Sequence, residues 1–117
     1  MQYLLLIYDA EKAFDAMSEA DQKAIGSEYN SFTEDIKKSG HFRNGEALQP
    51  TSTATTVRVN NGKTMTTDGP FAETREQLGG FYLIEAANLD DAIQVAARIP
   101  STRVGGSIEI RPIMMFG

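Results

Sequence analysis

Apolar residues occupy both sides of an extended opening segment. From Gln2 to Tyr8, Tyr3, Leu5 and Ile7 point one way while Leu4, Leu6 and Tyr8 point the other. A half-exposed strand alternates with polar residues, so this one predicts cover on both faces. Phe81-Tyr82-Leu83-Ile84, opened by Gly79-Gly80, has the same two-sided character. Ser107 to Ile113 differs: Ile108 and Ile110 alternate with Glu109 and Arg111, the pattern of a strand with one wet face. The tail Met114-Met115-Phe116 is apolar.

The stretch from Asp9 to Met17 reads as a connection. Ser18 then predicts a helix N-cap, with Asp21 three residues on as a weaker form of the capping-box acid. Ile25, Tyr29, Phe32 and Ile36 recur at helical spacing, Glu28, Glu34, Asp35, Lys37 and Lys38 supply the wet face, and Gly40 is the stop. Gly26 inside this helix costs about 1 kcal/mol against alanine, which predicts a close backbone approach there. His41 to Leu48 is a weaker strand, with a bulge or bend expected at Asn44-Gly45 and an end at Pro50. Thr53 to Val59 and Lys63 to Thr67 flank Asn60-Asn61-Gly62, the pattern of a hairpin. Asn88 caps a second helix with Asp90 and Asp91 in its first turn, an inner face of Ala92, Ile93, Ala96 and Ala97, and an end at Pro100.

Strand, helix, strand, hairpin, strand, helix, strand is an α+β order: a ferredoxin-like split βαβ with an inserted β-hairpin and an antiparallel sheet. Two helices cover one face of such a sheet. The other face would be left as a large apolar patch, which monomers rarely tolerate. The expectation is a homodimer in which two copies pack sheet against sheet about a two-fold axis.

At 117 residues with 41% hydrophobic content, the chain reads as one domain, 1–117, able to bury a core. No run approaches the roughly 20 apolar residues of a membrane span, and the opening run has no basic flank of the kind a signal peptide carries. The chain has no cysteine, so disulfides, thiol nucleophiles and thiolate metal sites are excluded and the expected location is cytoplasmic. The net charge of -5, with eleven scattered Lys and Arg residues, disfavours nucleic acid and anionic membranes as partners. A small neutral or weakly charged molecule, or another protein, remains.

The chemistry concentrates in Thr67-Asp68-Gly69-Pro70-Phe71-Ala72-Glu73. Asp68 can bond backbone N–H groups ahead of it, Gly69 permits angles closed to other residues, and Pro70 locks φ. A short helical turn after Pro70 is expected, with Glu73 and Glu76 near its positive end. Two readings of Asp68 stand open: an Asx-turn scaffold, or an acid held at a site. Phe71 reads as core or cleft wall, and Glu46 and Arg58 as cleft polar groups or residues of an exposed strand face. His41, the single histidine, is either a helix C-terminal residue bonding the last carbonyls or a proton-transfer group near neutral pH, its tautomer set by a neighbouring carboxylate. No metal site is expected, because Asp90-Asp91 is explained by its helical first turn and no ligand spacing is present. Neither glycine pair has the spacing of a phosphate loop, and no serine sits in a nucleophile elbow.

Asp68-Gly69-Pro70-Phe71 followed by Ala72-Glu73-Thr74-Arg75-Glu76-Gln77-Leu78-Gly79-Gly80-Phe81 resembles the signature of the DGPF group of YCII-related proteins. Gly45 to Pro50 and Asp90 to Pro100 resemble it as well. The resemblance implies a dimeric α+β barrel of two ferredoxin-like subunits, and an active-site cleft that uses a histidine and an aspartate, here His41 and Asp68. The wider fold superfamily that it points to holds cofactor-free isomerases and monooxygenases and some haem enzymes; no cofactor is expected here. It also links such chains to sigma factors of the extracytoplasmic class. Two functions follow as expectations. One is a cofactor-independent enzyme in which His41 and Asp68 move protons on a small organic molecule, in isomerase, lyase or elimination chemistry. The other is a non-catalytic dimeric module that binds a small ligand or a regulatory protein, with Gly69, Pro70, Phe71, Glu73, Glu46 and Arg58 as the binding residues in either case.

Overall fold

The computed structural model describes residues 1–116. In chain order it contains β1 (Gln2–Asp9), α1 (Glu11–Asp15), α2 (Glu19–Lys38), β2 (Phe42–Ala47), β3 (Thr55–Asn60), β4 (Lys63–Asp68), β5 (Gln77–Glu85), α3 (Leu89–Ala97) and β6 (Ser107–Pro112). Short 3-10 turns cover Thr51–Thr53 and Pro100–Val104. The main sheet has the order β2-β5-β1-β6 with every pairing antiparallel. It is a ferredoxin-like α+β fold. The inserted hairpin stands apart as its own two-stranded sheet of β3 and β4. No described helix is long and apolar enough to cross a membrane.

Local signals act where the chain places them. The Ser18 hydroxyl accepts the Asp21 N–H at 3.1 Å, and the Asn88 side chain accepts the Asp91 N–H at 2.9 Å, so each caps its helix. Asn61 and Gly62 both have positive φ, 52° and 76°, which suits the twist of a two-residue hairpin turn. The register of β2 against β5 shifts between Phe42 and Asn44, the expected bulge. A Cβ on Gly45 would lie 2.7 Å from the Tyr82 ring, which explains the small residue there.

The core lies between the sheet and the two longer helices. Tyr3, Leu5, Ile7, Tyr82 and Ile84 meet Phe32 and Ile36 of α2 and Ala92, Val95 and Ala96 of α3, with Ile99 beyond. Phe32 and Tyr82 stack edge to face with ring centres 5.3 Å apart, and the Tyr82 hydroxyl bonds Thr33 Oγ1 at 2.7 Å. On the other face β1 and β5 present Leu4, Leu6, Tyr8, Phe81 and Leu83, all partly exposed. Edge residues Asn44 and Glu46 on one side and Glu109 and Arg111 on the other flank this stripe.

Three expectations change. The Asp9 to Met17 connection contains α1, whose first turn is held by Ala10 carbonyl bonds from Ala13 and Phe14. The inner face of α3 is Ala92, Val95 and Ala96, while Ile93 and Ala97 are exposed, because the stripe follows i, i+3, i+4 from Ala92. Gly26 makes no close approach: a Cβ built there meets nothing within 4 Å.

Candidate functional site

Asp68 ends β4 opposite Thr55 and is exposed. The next residue, Gly69, has φ 99°, a conformation that L side chains resist. Its N–H donates to the Ala54 carbonyl at 2.7 Å, and its carbonyl accepts Thr56 Oγ1 at 2.9 Å, so the turn is fixed against the start of β3 from both sides. The helical turn expected after Pro70 does not form, and Glu73 therefore has no helix terminus to face. Side chains take the backbone partners instead: Thr74 Oγ1 donates to the Glu76 carbonyl at 2.6 Å, and Gln77 Nε2 donates to the Thr74 carbonyl at 2.6 Å. Glu76 accepts Ser107 Oγ at 3.1 Å.

A cleft of about 550 Å3 opens between the segment from Pro70 to Leu78 and the segment from Leu48 to Thr56, with Tyr8 also in its lining. Pro70, Phe71 and Glu73 line it; Asp68 and Gly69 are not part of the lining. Glu46 and Arg58 are elsewhere. Glu46 borders a cavity of about 400 Å3 under α2, together with Lys37 and Thr33, and Arg58 is exposed on the hairpin opposite Met65.

The first residue of α1 ties the two lips together. The Glu11 carboxylate accepts the Thr51 N–H at 2.8 Å and Thr51 Oγ1 at 2.7 Å, while the Glu11 N–H donates to Gln77 Oε1 at 2.9 Å. Sequence reading did not assign Glu11 this role, because its partners are 40 and 66 residues away.

His41 follows Gly40, whose φ of 82° turns the chain out of α2, and the His41 N–H closes on the Ile36 carbonyl at 3.0 Å. Its Nδ1 lies 2.7 Å from Ser39 Oγ, and its Nε2 donates to both Asp91 oxygens at 3.1 Å. Asp91 also accepts the Ala87 N–H at 3.0 Å. That backbone bond first, and the His41 bond second, hold the Asp91 carboxyl below its ordinary value.

The His41 carbonyl accepts the N–H of Glu85, the last residue of β5, whereas the Asp68 turn leads into β5 at Gln77. Eight strand steps at about 3.3 Å put these anchor points roughly 26 Å apart. Among the described residues no hydrogen bond joins His41 to Asp68, and the carboxylate that meets His41 is Asp91. Antiparallel pairing placed β2 and β5 so that the start of one faces the end of the other.

A second polar cluster escaped the sequence reading. Ser101, 2% exposed, donates to Asp9 Oδ2 at 2.9 Å, and the Tyr29 hydroxyl lies 2.5 Å from Ser101 Oγ. Burial pushes the Tyr29 phenol up to about 12, with the Ser101 bond opposing the rise and the Asp9 charge adding to it. The one available signal was an acid directly after a buried strand. Among the described residues no three His, Asp or Glu side chains converge as a metal site would require.

Residues 1–117 match the family model of the YCII-related domain. An uncharacterised protein of Rhizobium meliloti (strain 1021), R00369, is 37% identical over 120 residues, covering 99% of this chain and 94% of that protein.

Proposed function

The chain belongs to the YCII-related family, and we propose that it works in the cytoplasm as a homodimer that binds a small organic molecule in the cleft beside the Asp68 turn. The observation that carries this reading is the continuity of that cleft with the open sheet face. Tyr8 and Leu78, paired across β1 and β5, border the cleft, and Tyr8 continues the stripe of Leu4 and Leu6. An apolar centre with a charged rim has the anatomy of a subunit interface. Covering it with a second subunit would also place protein over the mouth of the cleft.

The hairpin supports the same assembly. Its extensive contacts are between its own two strands, and Val57 and Val59 are exposed on one side. An isolated two-stranded hairpin is marginal in water, so a partner surface against those valines would stabilise it. Ligand binding is preferred over His41–Asp68 acid-base catalysis, because His41 is engaged by Asp91 at the far end of β5. Any proton transfer in the cleft would fall to Glu73 or Glu76, the acids in its lining.

Sedimentation equilibrium at micromolar concentration should give twice the chain mass of 12.8 kDa. Leu6→Glu combined with Leu83→Glu should give folded monomer. A monomeric wild-type protein would remove this proposal. The exposed hairpin also favours a second reading, a regulatory module that docks an extracytoplasmic sigma factor. Capture of such a factor that is lost in Val57→Lys, Val59→Lys would replace the ligand-binding reading, and dimerisation without capture would count against it.

A further inference from the structure

Away from that cleft, a second cavity of about 470 Å3 lies between α1, α2 and the Pro100–Val104 turn. Its volume suits a small organic ligand. The walls include Phe14, Met17, Ile25 and Val104, and among the described residues Asp9 is the one charged group in the lining.

The polar end of this cavity has a defined proton order. Ser101 carries a single hydroxyl proton and donates it to Asp9 Oδ2. The Tyr29 hydroxyl must then donate to Ser101 Oγ. Both protons point along the chain toward Asp9, which leaves the Tyr29 oxygen and the Asp9 carboxylate as acceptors at the cavity edge. A ligand that completes the cluster brings a donor, and the uncompensated carboxylate favours one with positive charge.

Gly26 is an independent observation. Glycine in a helix interior costs about 1 kcal/mol against alanine. Among the described residues nothing requires it here, since a Cβ would meet no atom within 4 Å. Gly26 is exposed at the border of the cavity, with open space where a side chain would begin.

We propose that this cavity binds a small primary amine with a compact apolar body, its ammonium group on Asp9 and Tyr29 and its body against Phe14, Met17 and Ile25. This site is separate from the Asp68 cleft, so the two readings stand or fall independently.

Titration calorimetry on the full chain, with benzylamine, benzyl alcohol and phenylacetate as probes, tests it. Benzylamine should bind about tenfold more tightly than benzyl alcohol, the difference between a charged and a neutral hydrogen bond, and phenylacetate should not bind. Asp9→Asn should lose that preference for the amine. Gly26→Leu adds bulk at the border of the cavity, at a position where leucine favours the helix, so it should fold and weaken binding of benzylamine. Absence of benzylamine binding at millimolar concentration, equal binding of benzyl alcohol, or undiminished binding in Gly26→Leu would each overturn the proposal.

Discussion

His41 and Asp91 join the end of α2 to the start of α3, with His41 Nε2 3.1 Å from each carboxylate oxygen of a residue 50 positions away. Asp91 at the same time accepts the Ala87 N–H just ahead of its own helix. One carboxylate therefore braces a helix start and a neighbouring helix end.

The sign of the pH dependence follows. The folded-state value of Asp91 is lowered, so its stabilisation is complete above the unfolded value of about 3.9 and is lost as pH falls through the folded one. Asp91→Asn should lower the urea midpoint at neutral pH, and the gap to wild type should close below about pH 4. A gap unchanged at acid pH would mean that the carboxylate charge is not the source. His41→Asn should leave ligand occupancy of the Asp68 cleft unaltered, measured by the same binding assay on both proteins.

Gly26→Ala should stabilise the protein by up to about 1 kcal/mol, because alanine restricts the unfolded chain and favours the helix where the structure has room. Denaturant unfolding would detect this as a higher midpoint at constant slope. Destabilisation would show that the glycine is needed by the fold.

Gly80→Ala should do the opposite. A Cβ there would lie 2.7 Å from the Glu46 carbonyl oxygen and 3.3 Å from Ala47 Cα, both backbone atoms of the adjoining strand. Forcing β2 away from β5 should cost about 1–3 kcal/mol, the usual range for overpacking. A melting temperature equal to wild type would contradict the close strand approach.

Glu11→Ala removes the acceptor for Thr51 N–H and Oγ1 and should cost about 1–2 kcal/mol. Its clearer signature is local: limited proteolysis should cut faster between Leu48 and Thr56. Unchanged cleavage there would mean that the lips of the cleft are held by other contacts.

Much of the fold could be read along the chain because the forces involved act over a few residues. Ser18 and Asn88 cap helices through N–H groups three positions on, and Asn61-Gly62 reverses the chain within its own hairpin. The two-sided apolar pattern of β1 and β5 similarly predicted cover on both faces, and these strands are the central pair of the sheet. Even α3, whose exposed Ile93 was misplaced, was misread only by a rotation of its inner face.

The candidate site was less legible. The Asp68 turn was visible as a rigid corner, and Pro70, Phe71 and Glu73 do border a cleft. Which groups meet there is set by strand register and helix packing, not by local spacing. Glu11 reaches Thr51 across 40 residues, Asp9 reaches Ser101 across 92, and His41 finds Asp91 in place of Asp68. The two longer helices with their caps, the hairpin turn and the two apolar faces of β1 and β5 were legible along the chain, since each depends on near neighbours, whereas α1 and the non-helical path after Pro70 were not. Which carboxylate each polar group meets depends on the packed fold, because antiparallel pairing carries residues distant in sequence to the same or to opposite ends of the sheet.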